Sequence, residues 1–262
     1  MKKIITIIDK EWAEVFKNPM VLLTVLLLPL LFTALPLIIL YFMGTTPDTG
    51  GAVSDLPPQF AATCGSLSGI QCMKVYLVNQ FMMLFMVLPL AIPAAISAYS
   101  IVGEKTTRCL EPLLATPITT AELITGKAAA AAIPAILATW LGFVIFVVGG
   151  WFIARDPAVA SRFVDGHWLL AVLVVGPLMA VASVNVSIMV SSRVSDPRAA
   201  EQISLLVVLP LLGIFFAQMA GLVLMDTRFI LILAAALAVV DVGLVYLGVG
   251  LFQREAILTR WK

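Results

Sequence analysis

The chain has 262 residues, 61% of them hydrophobic and 12% charged, with a mean hydropathy of +1.08. Soluble domains run at roughly 45–50% apolar and about 25% charged, and a water-soluble fold of this length cannot hide so much apolar surface. Disorder and a disulfide-dense scaffold are excluded with it, and a net charge of +1 gives no basic field for nucleic acid. The composition is that of an all-α integral membrane protein.

Residues 1–18 open the chain as an amphipathic helix. Ile4, Ile8, Trp12 and Val15 recur at helical spacing, with Ile5 and Phe16 alongside, and Lys3, Lys10, Glu14 and Lys17 populate the other side. The pattern predicts an interfacial helix in the headgroup plane, its apolar stripe in the acyl boundary. Asn18-Pro19 then ends it, because the residue before proline is disfavoured in α geometry. The domain that follows, 19–262, holds six stretches long enough for a hydrocarbon core about 30 Å thick. They are Met20–Met43, Leu77–Val102, Ala128–Ile153, Trp168–Ser191, Ile203–Met225 and Phe229–Phe252. The fifth carries Pro210, Gly213, Gln218 and Gly221, so it reads either as a straight span or as a shorter span with a re-entrant piece.

Twelve lysines and arginines fall on one side of these spans: Lys2, Lys3, Lys10, Lys17, Lys105, Arg108, Lys127, Arg193, Arg198, Arg254, Arg260 and Lys262. Only four, Lys74, Arg155, Arg162 and Arg228, fall on the other. This asymmetry predicts a multi-pass protein of the inner (cytoplasmic) membrane with both termini in the cytoplasm. The first outer loop, Gly44–Lys74, has 31 residues and holds Cys64 and Cys72, which either form a local disulfide or pack as two free thiols.

The segment between spans two and three, residues 103–127, is the richest in local signals. Glu104 and Arg108 stand four apart, a favourable order for a helical pair, and Leu110, Leu113 and Leu114 form a short stripe that Pro117 stops. Thr119 and Glu122 then have capping-box spacing, with Ile118 and Leu123 placed as the staple, so a new helix should begin at Thr120. In the next inner loop, Asp196 is placed as an N-cap with Pro197 at the first helical position.

The run Gly103-Glu104-Lys105, Leu110-Glu111-Pro112-Leu113-Leu114-Ala115-Thr116-Pro117-Ile118, Glu122-Leu123 and Gly126-Lys127 resembles the signature of type-2 ABC transporter permeases. Lys10-Glu11, Asn18-Pro19 and Asp196…Ala200…Gln202 are similar to the same family, as is the six-span layout. The resemblance implies the permease subunit of an ATP-driven exporter, paired with a second permease copy, as a homodimer, and with separate ABC ATPase subunits. ATP and magnesium would bind in those ATPases, with no cofactor in this chain. It also implies that Glu104, Lys105, Leu113, Leu114 and Pro117 belong to a coupling helix that contacts the ATPase. No G-x-x-x-x-G-K-[ST] occurs in the sequence, which agrees with ATP hydrolysis in another subunit. The loop signature looks most like that of the sodium-efflux branch, but that branch carries a large external domain where this chain has 31 residues, which argues against sodium as cargo.

Asp241 falls near the middle of the sixth span, where a carboxylate costs roughly 2.5–3.5 kcal/mol on insertion scales. No lysine or arginine lies at that depth, leaving Asn185, Ser187 and Gln218 as its polar partners. Two readings stay open: a group in the translocation path, with Asn185 and Gln218, or a protonated acid bonding one helix to another. The first also supports a competing function, a stand-alone secondary transporter or channel. Met82, Met83 and Met86 read as core, and His167 beside Trp168 as interfacial rather than metal-binding. No zinc-protease motif or nucleophile elbow is present, so no catalytic residue is expected.

Overall fold

The computed structural model describes residues 2–17, 19–44, 64, 67, 69–106, 118–154 and 157–251, and among them it is helical with no strand. Helix α1 (Lys2–Val15) precedes α2 (Pro19–Met43), which forms the first span. The second span is broken into α3 (Gly69–Phe85) and α4 (Leu88–Thr106). A single long helix, α5 (Thr120–Ala154), makes the third. After the short α6 (Pro157–Ala160), the fourth span joins α7 (Gly166–Leu170) to α8 (Gly176–Arg193). The fifth joins α9 (Pro197–Ser204) to α10 (Leu209–Met219), and α11 (Thr227–Leu251) is the sixth. Among the described residues, six helical stretches are long and apolar enough to cross a membrane, as the composition requires.

The breaks have local causes. Pro89 has no N–H to offer the carbonyl of Phe85, and its ring crowds that turn, so Met86 and Val87 bond three residues back instead, to Met83 and Leu84. Pro177 has the same effect in the fourth span, where Ala171–Val175 widens into a π turn just before it. The fifth span is the shorter of its two sequence alternatives. Its helix stops at Met219, Gly221 turns the chain at φ 73°, and residues 222–226 return without helix.

The second span is the hub of the bundle and the most buried of the six. Its first half begins at Gly69, well before the expected Leu77, because Cys72, Val75 and Val78 are already buried there. Small buried residues, Ala94 and Ala95 on α4 and Ala180, Ser183 and Ser187 on α8, let the two helices approach closely. Ser183 Oγ donates to Leu90 O at 2.5 Å and Ser187 Oγ to Ala94 O at 3.1 Å, so both hydroxyls are satisfied across the helix pair. On α11 one narrow stripe is packed, Ile230, Ala234, Asp241 and Gly248, while Val239, Val242 and Tyr246 are among the most exposed side chains. A helix apolar all round with a single packed stripe is what a peripheral span in lipid requires.

Phe163 is completely buried and its ring lies 5.3 Å from that of Phe146. A Cβ on Gly150 would stand 2.2 Å from Phe163 Cε1, so this glycine is fixed by close approach. Gly150→Val should therefore displace a ring with nowhere to go, costing about 3 kcal/mol or more. Thermal unfolding in detergent, followed by the retention time of the monodisperse protein, would show it as a drop of several degrees. An unchanged transition would mean that Phe163 is free to move.

Candidate coupling site around helix α1

The capping box forms as the sequence predicts. Thr119 N donates to Glu122 Oε2 at 2.9 Å and Glu122 N to Thr119 Oγ1 at 3.2 Å, and the helix begins at Thr120. At 35 residues α5 is about 52 Å long, well beyond the hydrocarbon thickness, so its first turns extend past the apolar stretch that starts at Ala128. Asp196 caps α9 through Arg198 N at 2.9 Å.

Helix α1 lies alongside this projecting start of α5. Lys3 Nζ is 3.7 Å from Glu122 Oε2, Ile7 fills the space above Gly126, and Trp12 Nε1 donates to Ala130 O at 2.9 Å. The contacts advance along both helices in the same direction. Gly126 is required here, since a Cβ would come within 2.9 Å of Ile7 Cγ2. The stripe that packs is Ile7, Glu11 and Val15, whereas Ile5 and Phe16 are 56% and 48% exposed. The expected stripe of Ile4, Ile8, Trp12 and Val15 is therefore rotated toward Glu11, because α1 buries its face on protein.

Glu11 is the centre of the site. Its side chain is buried, and Lys127 Nζ, itself buried, stands 2.7 Å from Oε1. Ser100 Oγ donates to Glu11 Oε2 and accepts from Lys127 Nζ at 3.0 Å, closing a three-membered network. Lys10 adds a more exposed ammonium at 3.4 Å from Oε1. Burial acts to raise the Glu11 carboxyl, but the Lys127 charge and the hydrogen bonds from Lys127 and Ser100 outweigh it and hold the group below its ordinary range. Ser100 lies on α4, just before the 103–127 segment, and Lys127 ends that segment. One carboxylate on α1 thus grips both ends of the loop. The C-terminal end of α4 is held from another side by α9, where Ala200 packs with Ala98 and Val102.

Among the expected coupling residues, Glu104 and Lys105 fall in the last turn of α4, while Leu113, Leu114 and Pro117 lie outside the described residues. Cys64 and Cys72 are joined in a disulfide, their Cα atoms 5.5 Å apart.

The polar groups expected around Asp241 do not meet it. Asp241 is 6% exposed, and among the described residues neither carboxylate oxygen has a hydrogen-bond partner. Asn185 Nδ2 donates within its own helix to Val181 O at 2.8 Å, and Ser187 is spent on Ala94. Gln218 stands in a cavity at the opposite end of the molecule from α1. Sequence alone places these groups within one chain but not at one depth or on facing sides, so the pairing of Asp241 with Asn185, Ser187 or Gln218 is corrected.

No curated protein matches the chain by sequence. A family model does: residues 5–252 match the ABC-2 family transporter protein model, nearly the whole chain and including most of α1 and the 103–127 segment. The chain belongs to the ABC-2 family of transporter proteins and is the membrane permease subunit of an ABC transporter, a membership that implies an ABC ATPase as partner.

Proposed function

We propose that the chain is the translocating half of an ATP-driven exporter, worked from the cytosol through the 103–127 segment. The observation that carries this reading is the buried Glu11–Lys127–Ser100 network, which binds α1, the elbow helix, to both ends of that segment. A passive connector needs no such clasp. With it, a push on the segment reaches α4 and α5 together and carries α1 with them, as coupling between two states of the bundle demands. Glu104, Lys105, Leu113, Leu114 and Pro117 supply the ATPase contact, and ATP with magnesium is bound and hydrolysed in the partner. Two permease copies and two ATPases complete the transporter, with both termini cytoplasmic, a topology supported by the twelve-to-four bias of basic residues.

The test is purification of the tagged chain from its native membrane. A Walker A ATPase should co-purify in stoichiometric amount and be lost from Leu113→Asp and Leu114→Asp, while insertion is unchanged. Retention of the ATPase by both variants overturns the coupling assignment. A second reading, a carrier or channel that works alone through Asp241, is favoured by the unpartnered carboxylate inside the bundle. Transport by the purified chain alone in liposomes, without ATPase or ATP, would select it.

A further inference from the structure

Two spans break at one level. In the second, Met86 and Val87 interrupt the helix before Pro89, and in the fourth the π turn Ala171–Val175 comes just before Pro177. The breaks are neighbours in space, since a Cβ on Gly176 would stand 3.9 Å from Pro89 Cγ. On the side of the breaks nearer α1, α4 and α8 are fastened to each other by the hydroxyls of Ser183 and Ser187. On the far side α3 and α7 are fastened by Trp168 Nε1, which donates to Asn79 Oδ1 at 2.9 Å. The same two spans thus form two hydrogen-bonded blocks, joined in one span by a tightened turn and in the other by a widened one.

A small cavity of about 20 Å³ lies at this level, walled by Met83, Met86, Trp168, Ala171, Val175 and Met179 among others. Unbranched methionine side chains refill such a space readily when their neighbours shift. A third span reaches the π turn here. Gly176 N donates to Ala171 O, five residues back, but Pro177 has no N–H with which to make the next bond of that series, to Val172 O. Trp140 Nε1 of α5 donates to Val172 O instead, at 3.2 Å, and Val172 is completely buried. Helix α5 runs from Thr120 without a break, so Trp140, 13 residues after Lys127, lies about 20 Å along the same rod.

We propose that the aligned breaks are one hinge between the two blocks and that Trp140 is its latch, through which α5 holds the π turn of the fourth span. Release of Val172 O by the indole lets the far block, α3 with α7, rotate against the near block, α4 with α8. That α5 carries a movement of the 103–127 segment to the latch rests on the permease reading. The hinge and the latch do not, so they are measured on the chain alone.

The experiment reads pulsed-EPR distances in the full chain in nanodiscs, between spin labels at Gly166→Cys on α7 and Ile38→Cys on α2. A side chain at Gly166 meets nothing within 4 Å, and Ile38 is exposed. Cys109→Ser removes the one thiol outside the disulfide. Two distances should be populated, the major one that of the latched structure. Trp140→Phe, which keeps a ring but has no N–H, should move their ratio about fivefold toward the minor one, the worth of one hydrogen bond. Pro89→Ala with Pro177→Ala returns a helical N–H to each break and should leave a single distance, which Trp140→Phe no longer changes. Either proline variant alone serves if the pair does not fold. A single distance common to the parent and Trp140→Phe, or a ratio indifferent to both the indole and the prolines, overturns the proposal. With the ATPase bound, ATP and vanadate should shift the ratio in the parent and not in Trp140→Phe. A complex that hydrolyses ATP without any shift removes α5 as the driver. If no ATPase co-purifies, the permease reading fails while the result on the chain alone stands.

Discussion

Lys127→Met should unfasten the elbow helix at a cost of about 3–5 kcal/mol, the range for leaving one member of a buried ion pair without its partner. Lys127 Nζ at 2.7 Å is the closest cation to Glu11, and Lys10, at 3.4 Å and more exposed, is a weaker substitute. Glu11→Gln should cost less, since the amide still accepts from Ser100 or Lys127 while the charge of Lys127 goes uncompensated. The double variant Glu11→Leu with Lys127→Met should recover most of the loss, because two apolar side chains need no desolvated charge. Hydrogen exchange over residues 2–15 reads the fastening directly, with rapid exchange in Lys127→Met and protection restored in the double variant. Protection unchanged in the single variant would mean that packing at Ile7 and Val15 holds the elbow without the ion pair.

The same network sets a pH limit. The Glu11 carboxyl is depressed in the folded protein, so its contribution is complete above the ordinary glutamate value of 4.5 and is lost as pH falls through the lower folded value. The protection of α1, its exchange rate taken relative to the intrinsic rate at each pH, should therefore be flat from neutral pH down to about 5 and fall only in stronger acid. Loosening between pH 7 and 6 would point to a different group.

Asp241→Leu should stabilise the bundle by about 3 kcal/mol, the difference between a carboxylate and an aliphatic side chain near the middle of a span. Asp241 lies on the one packed stripe of α11, in register with Ile230, Ala234 and Gly248, and its oxygens have no hydrogen-bond partner among the described residues to offset their desolvation. A position so costly is expected to be used, and the proposed use is in the translocation path. Transport by the assembled complex should then fall at least tenfold in Asp241→Leu while unfolding shifts to higher temperature. Full transport with raised stability would leave Asp241 a burden without a function; lost stability would mean that it bonds one helix to another.

The spans were legible in the sequence because hydrocarbon thickness alone sets their length. So were the caps at Thr119 and Asp196, which depend only on residues two or three positions away. Glu11 was not, because its partners are 89 and 116 residues distant and a glutamate on an amphipathic helix reads as solvated. Its spacing of four from both Ile7 and Val15, the residues that prove buried, is the one local signal that places it on the packed face. Asp241 was visible as an oddity of composition. Its surroundings depended on helix rotation and depth, which hydropathy does not encode. Gln218 was read as a partner for Asp241 because the fifth span is ambiguous in length, and only the turn at Gly221 fixes it in the cavity at the far end.

A photo-crosslinking residue at Leu114 reports which protein meets the 103–127 segment. In native membranes, illuminated with ATP present, it should join the chain to a Walker A ATPase identified by mass spectrometry, and no crosslink should form to proteins of the opposite compartment. Labelling of residue 114 from outside the cell, or a crosslinked product that contains no ATPase, would contradict a permease driven through this loop.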